Sequence, residues 1–160
     1  MFDQVYDGIY VGELEAVDNQ AAVRAEGITA VVRLDEHDCS SGQWNDAFAL
    51  LDMPIPDGEY VDSDTIDTIT DFINQQIEAG GKVLIHCHMG ISRSVSMAMA
   101  YLIAYEGMSL AEAFGTVRDG REVAYPHEML LISLIDRYEL PYDTHSVHNP
   151  RFLSQLAEDV

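Results

Sequence analysis

The amino-acid sequence predicts an α/β domain in which a mostly parallel sheet lies between layers of helices. Short β-branched segments alternate along the chain with longer segments of helical periodicity, which is typical of this class. The segment KVLIH (82–86) is almost wholly apolar, as expected for a strand at the centre of a sheet that is covered on both faces. A length of 160 residues suits one such domain with a substantial core.

The first half of the chain contains three predicted strands and a short helix. YDGIYVG (6–12) indicates a turn and a strand, ITAVVRL (28–34) a second strand and FALLDMPI (48–55) a third. Between the first two strands, Asp18 is expected to cap a helix that stops at Gly27. The strands are therefore separated by helix or loop, as a parallel arrangement requires.

A long loop with two prolines, at 54–64, leads into the second predicted helix. Ser63 or Asp62 is expected to cap that helix, and Gly80-Gly81 is expected to end it. Its apolar positions recur at helical spacing and share one face: Ile66, Ile69, Ile73 and Ile77.

Three further helices are predicted after the strand at 82–86. The first runs from about Ser94 to Glu106, is apolar or small on all sides, and stops at Gly107. A capping box at 109–112 opens the second. The third runs over about 126–138, and the FLSQLAEDV segment beyond it is expected to form either a docked amphipathic turn or a frayed end.

The charge balance limits the classes of partner. The chain has 28 acidic and 8 basic residues, a formal net charge of −20, and the acids are dispersed. We expect a solvated surface adapted to a salt-rich cytosol, in preference to an acidic surface built for one basic partner. Nucleic acid and anionic membranes are excluded as expected partners because both require clustered Lys and Arg.

The location is predicted from what the sequence lacks. Two cysteines, Cys39 and Cys87, do not make a disulfide framework. The chain opens without the charged and apolar regions of a signal peptide, and its longest nearly apolar run, 95–105, is too short to span a bilayer. We therefore expect a soluble protein in a reducing cytoplasm.

The segment IHCHMGISRSV (85–95) carries the chemistry. A strand followed by a tight loop and a helix N-terminus gathers backbone N–H groups around an anion site, and the helix dipole adds positive potential. Cys87 lies under that site, where the dipoles and a nearby cation favour the thiolate. Arg93 can hold two phosphoryl oxygens in its planar fork, Gly90 lets the backbone turn, and the Ser94 hydroxyl can donate to the sulfur.

HCHMGISRS matches the His-Cys-x-x-Gly-x-x-Arg-Ser signature of cysteine-dependent phosphatases, and the chain resembles the dual-specificity protein phosphatases. Further segments match that family in order: DGIYVG, GITAVVRL, PIPDGE, SVSMAMAYLIAYEGMSLAEAF and REVAYP. The resemblance covers roughly residues 5–140 and implies a catalytic domain at 1–141, with 142–160 as a C-terminal tail or short docked helix.

The resemblance implies roles for individual residues. Cys87 would be the nucleophile, with Arg93 and the backbone amides of His88, Met89, Gly90, Ile91 and Ser92 around the phosphoryl group. His86 would support the loop. The general acid would be Asp57, with Asp62 as the second candidate, because several aspartates lie close together. Neither a metal nor a cofactor is needed.

The implied substrates are phosphotyrosine, phosphoserine and phosphothreonine in proteins, acted on by a monomer or weak dimer. The loop interior contains no lysine, unlike relatives that act on inositol lipids. One residue departs from the family: His127 stands where the family usually has asparagine. Arg121 is as consistent with a place near the loop as with an ordinary solvated charge. Arg118 is interpreted as an ordinary solvated charge.

Three alternatives remain. His37, Cys39 and the His86-Cys87-His88 segment could be drawn together as metal ligands, although their spacing fits no common four-ligand pattern. A non-catalytic phosphate-binding module could use the same scaffold, but the chain keeps both Cys87 and Arg93. Cys39 could also form a protective disulfide with Cys87 under oxidation.

Overall fold

The computed structural model describes residues 1–36 and 42–159. Its strands are β1 (Phe2–Tyr6), β2 (Ile9–Gly12), β3 (Ala30–Arg33), β4 (Ala49–Asp52) and β5 (Val83–His86). Its α-helices are α1 (Gln20–Ala25), α2 (Ser63–Glu78), α3 (Arg93–Glu106), α4 (Leu110–Gly120), α5 (Glu128–Tyr138) and α6 (Phe152–Glu158). Two 3₁₀ turns, Leu14–Asn19 and Thr144–His148, complete the regular structure of this part of the chain.

The sheet has the strand order β1-β2-β5-β3-β4. The pairs β2–β5, β5–β3 and β3–β4 are parallel, and only the β1–β2 hairpin is antiparallel. All four residues of β5 are buried because this strand is paired on both edges and covered on both faces. The predicted α/β class and the central position of the 82–86 strand are confirmed.

Helices cover the two faces of the sheet unequally. The larger core packs β2, β3 and β5 against α2, α3, α4, α5 and α6. The smaller core, on the other face, includes Val23 of α1, Val31, Leu84 and the indole of Trp44. The result is three layers, and the thin layer contains α1 and Trp44.

Helix α3 runs through the middle of the larger core, where other elements surround it. Ser94, Ser96, Ala98 and Ala100 have no exposed surface, and their small side chains let neighbouring elements approach closely. Gly107 ends the helix in the left-handed conformation, with φ of 69°. The predicted helix and its stop are confirmed.

The structure corrects one predicted cap and decides another. Asp18 does not cap α1, because a 3₁₀ turn takes up residues 14–19 and Asn19 precedes the helix. Asp62, and not Ser63, caps α2 by accepting from Thr65 N at 2.8 Å.

Helix α5 begins two residues later than predicted. Its N-cap is His127, whose Nδ1 accepts from Met129 N at 3.1 Å. The predicted capping box at the start of α4, between Ser109 and Glu112, is present.

The segment after Pro141 lies on the domain. Val147, Phe152, Leu153 and Leu156 are buried, and α6 packs against α4. This burial of apolar side chains holds the segment in place. Within the described ranges, none of the helices combines the length and the apolar character needed to span a bilayer.

Candidate active site

The loop that joins β5 to α3, residues 87–92, lies at the carboxyl end of the central strand. Ligand sites of parallel α/β sheets form at this edge. Both neighbouring strands end beside the loop, since Gly12 and Arg33 are the register partners of His86. The fold therefore places the loop between the ends of two flanking strands.

Four consecutive carbonyls of this loop accept hydrogen bonds from outside it. The pairs are Leu14 N to His88 O (3.0 Å), Arg121 Nη2 to Met89 O (3.3 Å), Arg121 Nε to Gly90 O (2.6 Å) and Tyr125 N to Ile91 O (2.8 Å). In a trans peptide the N–H group points opposite to the carbonyl. The N–H groups of residues 89–92 consequently face the inside of the loop, where they can bind an anion.

Gly90 allows the turn on two counts. Its φ is +66°, a conformation that side chains disfavour. A Cβ at this position would lie 2.7 Å from Gly12 O and 2.6 Å from Arg121 Nη2, so no other residue fits without displacing backbone.

The Cys87 sulfur lies at the base of the loop and is 3% exposed as a residue. It accepts a hydrogen bond from Gly90 N at 3.2 Å and lies 3.2 Å from Ser94 Oγ. Two polar groups thus meet at one sulfur, which is the arrangement that a thiolate requires.

Arg93 joins the loop to the segment that carries Asp57. Its side chain is 8% exposed, its Nη1 donates to Ile55 O at 3.0 Å, and its Nε lies 3.9 Å from Asp57 Oδ1. The guanidinium is therefore held between two segments that are far apart in sequence.

A cavity of about 310 Å³ opens above the sulfur; we call it the catalytic cavity. Its lining residues are Asp57, Cys87, His88, Met89, Ile91, Ser92 and Arg93. The Asp57 side chain is 66% exposed, so it lines the cavity on a side that is open to solvent.

Asp62, the second candidate for the general acid, is not among the described lining residues, and the hydrogen bond from Thr65 lowers the pKa of its carboxyl. A cap with a lowered pKa is a poor proton donor at neutral pH.

The His86 ring supports the loop through a contact that the sequence analysis missed. Trp44 Nε1 donates to His86 Nε2 at 2.9 Å. Because an indole can only donate, Nε2 is unprotonated and the ring proton is on Nδ1. Nδ1 lies 3.4 Å from Cys87 O and 3.6 Å from Asp35 Oδ1. Burial lowers the pKa of His86 from 6.5 to about 4, so the ring is neutral at pH 7.

A sequence signal for this contact existed. Trp44 is the only tryptophan of the chain, yet it stands in a polar stretch that otherwise predicts a loop. A large side chain with one donor N–H, when buried, needs an acceptor. Here that acceptor is the histidine before the cysteine.

Comparison with known proteins gives the family. The model of the dual specificity phosphatase catalytic domain matches residues 9–139. This chain belongs to the dual-specificity phosphatase family. Human dual specificity protein phosphatase 26 is 33% identical over 131 residues, which cover 76% of this chain and 60% of that protein.

Two other relatives of the family cover more of their own length. Dual specificity protein phosphatase 1B of Arabidopsis thaliana is 31% identical over 156 residues, 97% of this chain and 79% of that protein. The crystal structure of human DUSP28 superposes with a TM-score of 0.79 at 26% identity, over 86% of this chain and 93% of that structure. The chain thus spans about 60% of the length of some curated relatives and more of others.

Within this family member, Arg121 is a buried brace and not a solvated charge. It donates to two loop carbonyls, and its Nη1 lies 2.8 Å from Asp3 Oδ2 on β1. Arg118, one turn earlier, is exposed, with its guanidinium carbon 5.6 Å from the centre of the Phe114 ring.

The residue that follows the REVAYP segment, His127, also bonds to the loop. His127 N donates to the Ser92 hydroxyl at 2.9 Å, so this hydroxyl is engaged outside α3. The His127 ring packs on Gly58, where an added Cβ would lie 3.3 Å from Nε2. His127 therefore contacts both loops of the site, in the position where the family usually has asparagine.

Two of the proposed metal ligands, His37 and Cys39, lie outside the described residues. The structure therefore tests neither the metal-site alternative nor the Cys39–Cys87 disulfide. Within the described ranges, no cluster of three or more His, Cys, Asp or Glu side chains has a metal-binding arrangement.

Proposed function

We propose that this protein is a cysteine-dependent phosphatase that hydrolyses phosphomonoesters in proteins through a phosphocysteine intermediate. The observation that carries the proposal is one cavity that holds Cys87, Arg93 and Asp57 together with a ring of inward N–H groups. Family membership supports the same activity.

In the first step, the Cys87 thiolate attacks phosphorus and an S–P bond forms as the ester P–O bond breaks. The loop N–H groups and the Arg93 guanidinium stabilise the charge on the three phosphoryl oxygens. Asp57, protonated at this stage, gives its proton to the leaving oxygen. Its exposed side chain can reach that oxygen because it lines the same cavity as the sulfur.

In the second step, water attacks phosphorus and the S–P bond breaks, which releases phosphate. The Asp57 carboxylate takes a proton from that water. The sulfur leaves as a thiolate, and the Ser94 hydroxyl, 3.2 Å away, donates a hydrogen bond to it. The site is then ready for another cycle without a metal or a redox partner.

The substrates are proposed to be phosphotyrosine, phosphoserine and phosphothreonine in proteins. His88 and Met89, at the rim of the cavity, are exposed, and so is the Asp57 side chain. The cavity is therefore accessible to both short and long phosphorylated side chains. The net charge of −20 disfavours polyphosphorylated ligands.

We further propose a salt-rich cytoplasm as the site of action and a monomer or weak dimer as the working state. The dispersed acidic surface supports the first, because salt screens its self-repulsion over a few ångströms. Nucleic acid and membranes are not proposed as partners, since the chain has only 8 basic residues.

The test is hydrolysis of an aryl phosphate near pH 6 in molar potassium chloride with metals chelated. Wild type is compared with Cys87→Ser. We expect turnover that survives chelation and vanishes in the variant. Folded wild type that does not turn over but binds phosphopeptides would instead establish the non-catalytic module.

A further inference from the structure

A second cavity, of about 420 Å³, lies beside the catalytic cavity. Asp57 and Ser92 line both cavities, so the two share a wall. The second cavity is the larger, since the catalytic cavity measures about 310 Å³. A substrate bound at Cys87 therefore has an adjoining space into which a neighbouring side chain can extend.

The C-terminal segment builds much of this second cavity, which we call the tail groove. Val147, Asn149, Pro150, Phe152 and Leu153 line it on one side. The family model ends at residue 139, so these residues lie outside the matched domain. This side of the groove therefore lies beyond the family model, although the Arabidopsis thaliana relative aligns over 97% of this chain.

The floor of the tail groove is apolar. Val147, Phe152 and Leu153 are buried in the described structure, and Leu131 of α5 is 1% exposed. Such a floor suits the methylene stem of a long side chain.

The rim of the tail groove is acidic. Asp57 and Glu128 are among the lining residues, whereas no lysine or arginine is among those that the structure describes. Glu128 Oε2 lies 2.8 Å from His148 Nδ1, and this contact restricts the position of the carboxylate. A cationic head on an apolar stem is the ligand that complements this combination.

We propose that the tail groove is a specificity subsite that takes a lysine or arginine side chain close in sequence to the phosphorylated residue of a protein substrate. The proposal rests on the proposed function, because the groove adjoins the catalytic cavity at Asp57 and Ser92. Glu128 is the residue assigned to select the cationic head, and the apolar floor binds its stem.

The first test measures binding to the Cys87→Ser protein, so that it does not depend on turnover. The probes are phosphotyrosine peptides of one composition and one net charge, in which a single lysine occupies each position from three before to three after the phosphotyrosine. Salt near molar suppresses general attraction to the acidic surface. We expect one position to bind about tenfold tighter than the rest. Equal affinity at every position would overturn the subsite.

The second test changes the rim charge. Glu128→Lys is expected to abolish the lysine preference and to favour glutamate at the same peptide position. Glu78→Lys, at the C-terminal end of α2 and near the start of β5, makes the same charge change at the opposite edge of the sheet and serves as the matched control. An equal effect of both variants would mean long-range attraction and would overturn the assignment of Glu128.

Hydrolysis of an aryl phosphate separates the two proposals. Wild type and Glu128→Lys are expected to turn over this small substrate equally, because it does not reach the groove. If wild type fails to turn it over, the proposed function fails, while the binding series still decides the subsite. If turnover is normal and the lysine series is flat, the subsite alone fails.

Discussion

The two loops that meet at the catalytic cavity are held very differently. The phosphate loop, 87–92, has four consecutive carbonyls bonded to neighbouring segments and a buried sulfur at its base. The acid loop around Asp57 presents a carboxylate that is 66% exposed and lies 3.9 Å from Arg93 Nε. The phosphate loop is held by hydrogen bonds along its length, whereas the Asp57 carboxylate of the acid loop is exposed to solvent.

This difference corresponds to the two tasks of phosphoryl transfer. Charge on the phosphoryl oxygens is stabilised best by dipoles that do not have to reorganise. The proton donor must instead follow leaving groups of different size, which an open carboxylate can do. Changes in the phosphate loop should therefore slow all substrates alike, whereas changes at Asp57 should depend on the leaving group.

Among changes that keep the nucleophile, the largest effect is expected from Arg93→Lys. A lysine cannot hold two phosphoryl oxygens and cannot keep the contact to Ile55 O, so kcat/KM should fall about 10³-fold for aryl and alkyl phosphates alike. Arg118→Lys, an equally conservative change at an exposed arginine, should leave the rate unchanged. Steady-state kinetics on both substrate types measure this, and a loss confined to alkyl phosphates would place Arg93 with the proton donor.

The next effect is expected from Asp57→Asn, and it should depend on the leaving group. An alkyl phosphate should lose about 10²-fold in kcat/KM, which reports formation of the phosphocysteine, while the kcat/KM of a nitrophenyl phosphate, whose leaving group needs no proton, should change little. Asp62→Asn is the matched control, because asparagine caps a helix as well as aspartate does. Equal losses on both substrates, or a larger loss in Asp62→Asn, would contradict the assignment of Asp57.

A smaller effect is expected from Ser94→Ala. Without the hydroxyl 3.2 Å from the sulfur, the thiolate leaves the phosphocysteine less readily, so kcat should fall about tenfold. Rapid mixing with a nitrophenyl phosphate should then reveal a burst of nitrophenol before slow turnover. Ser96→Ala, equally buried on α3, should give no new burst, and absence of a burst in Ser94→Ala would argue against this role.

The smallest effect on catalysis at neutral pH is expected at His86, whose contribution is to stability. Its pKa is lowered by burial from 6.5 to about 4, so between these values the unfolded chain binds a proton that the folded chain does not. The contribution of His86 to the free energy of unfolding should therefore be complete above pH 6.5. It should be lost, by up to about 3 kcal/mol, as the pH decreases through 4. Urea unfolding of wild type and His86→Gln at several pH values isolates this component. The same slope in both would contradict it.

Local patterns in the sequence predicted the braced loop but not its braces. The strand 82–86, Gly90 and the following helix are contiguous, so their chemistry and geometry could be inferred together. The bracing contacts of the loop are far apart in sequence. Arg121 bonds to Gly90 from 31 residues away, Trp44 to His86 from 42 and Leu14 to His88 from 74, so they form only when the chain folds.

Other differences have local causes. The expected cap at Asp18 was wrong because residues 14–19 form a 3₁₀ turn and not the start of an α-helix. The residue types in so short a turn do not distinguish its i→i+3 hydrogen bonds from those of an α-helix. The choice between Asp57 and Asp62 could not be made from composition, since either could present a carboxylate. The sequence left the cap of α2 open between Ser63 and Asp62, and the structure assigns it to Asp62.

The measurement that tests the central claim most directly is detection of the phosphocysteine. The Ser94→Ala protein is mixed with a nitrophenyl phosphate, quenched in acid within the burst and analysed by peptide mass spectrometry. We expect the mass of one phosphoryl group on the peptide that contains Cys87, absent from the same digest of the Cys87→Ser,Ser94→Ala protein. A phosphoryl group on another residue, or turnover by the protein that lacks Cys87, would contradict the account.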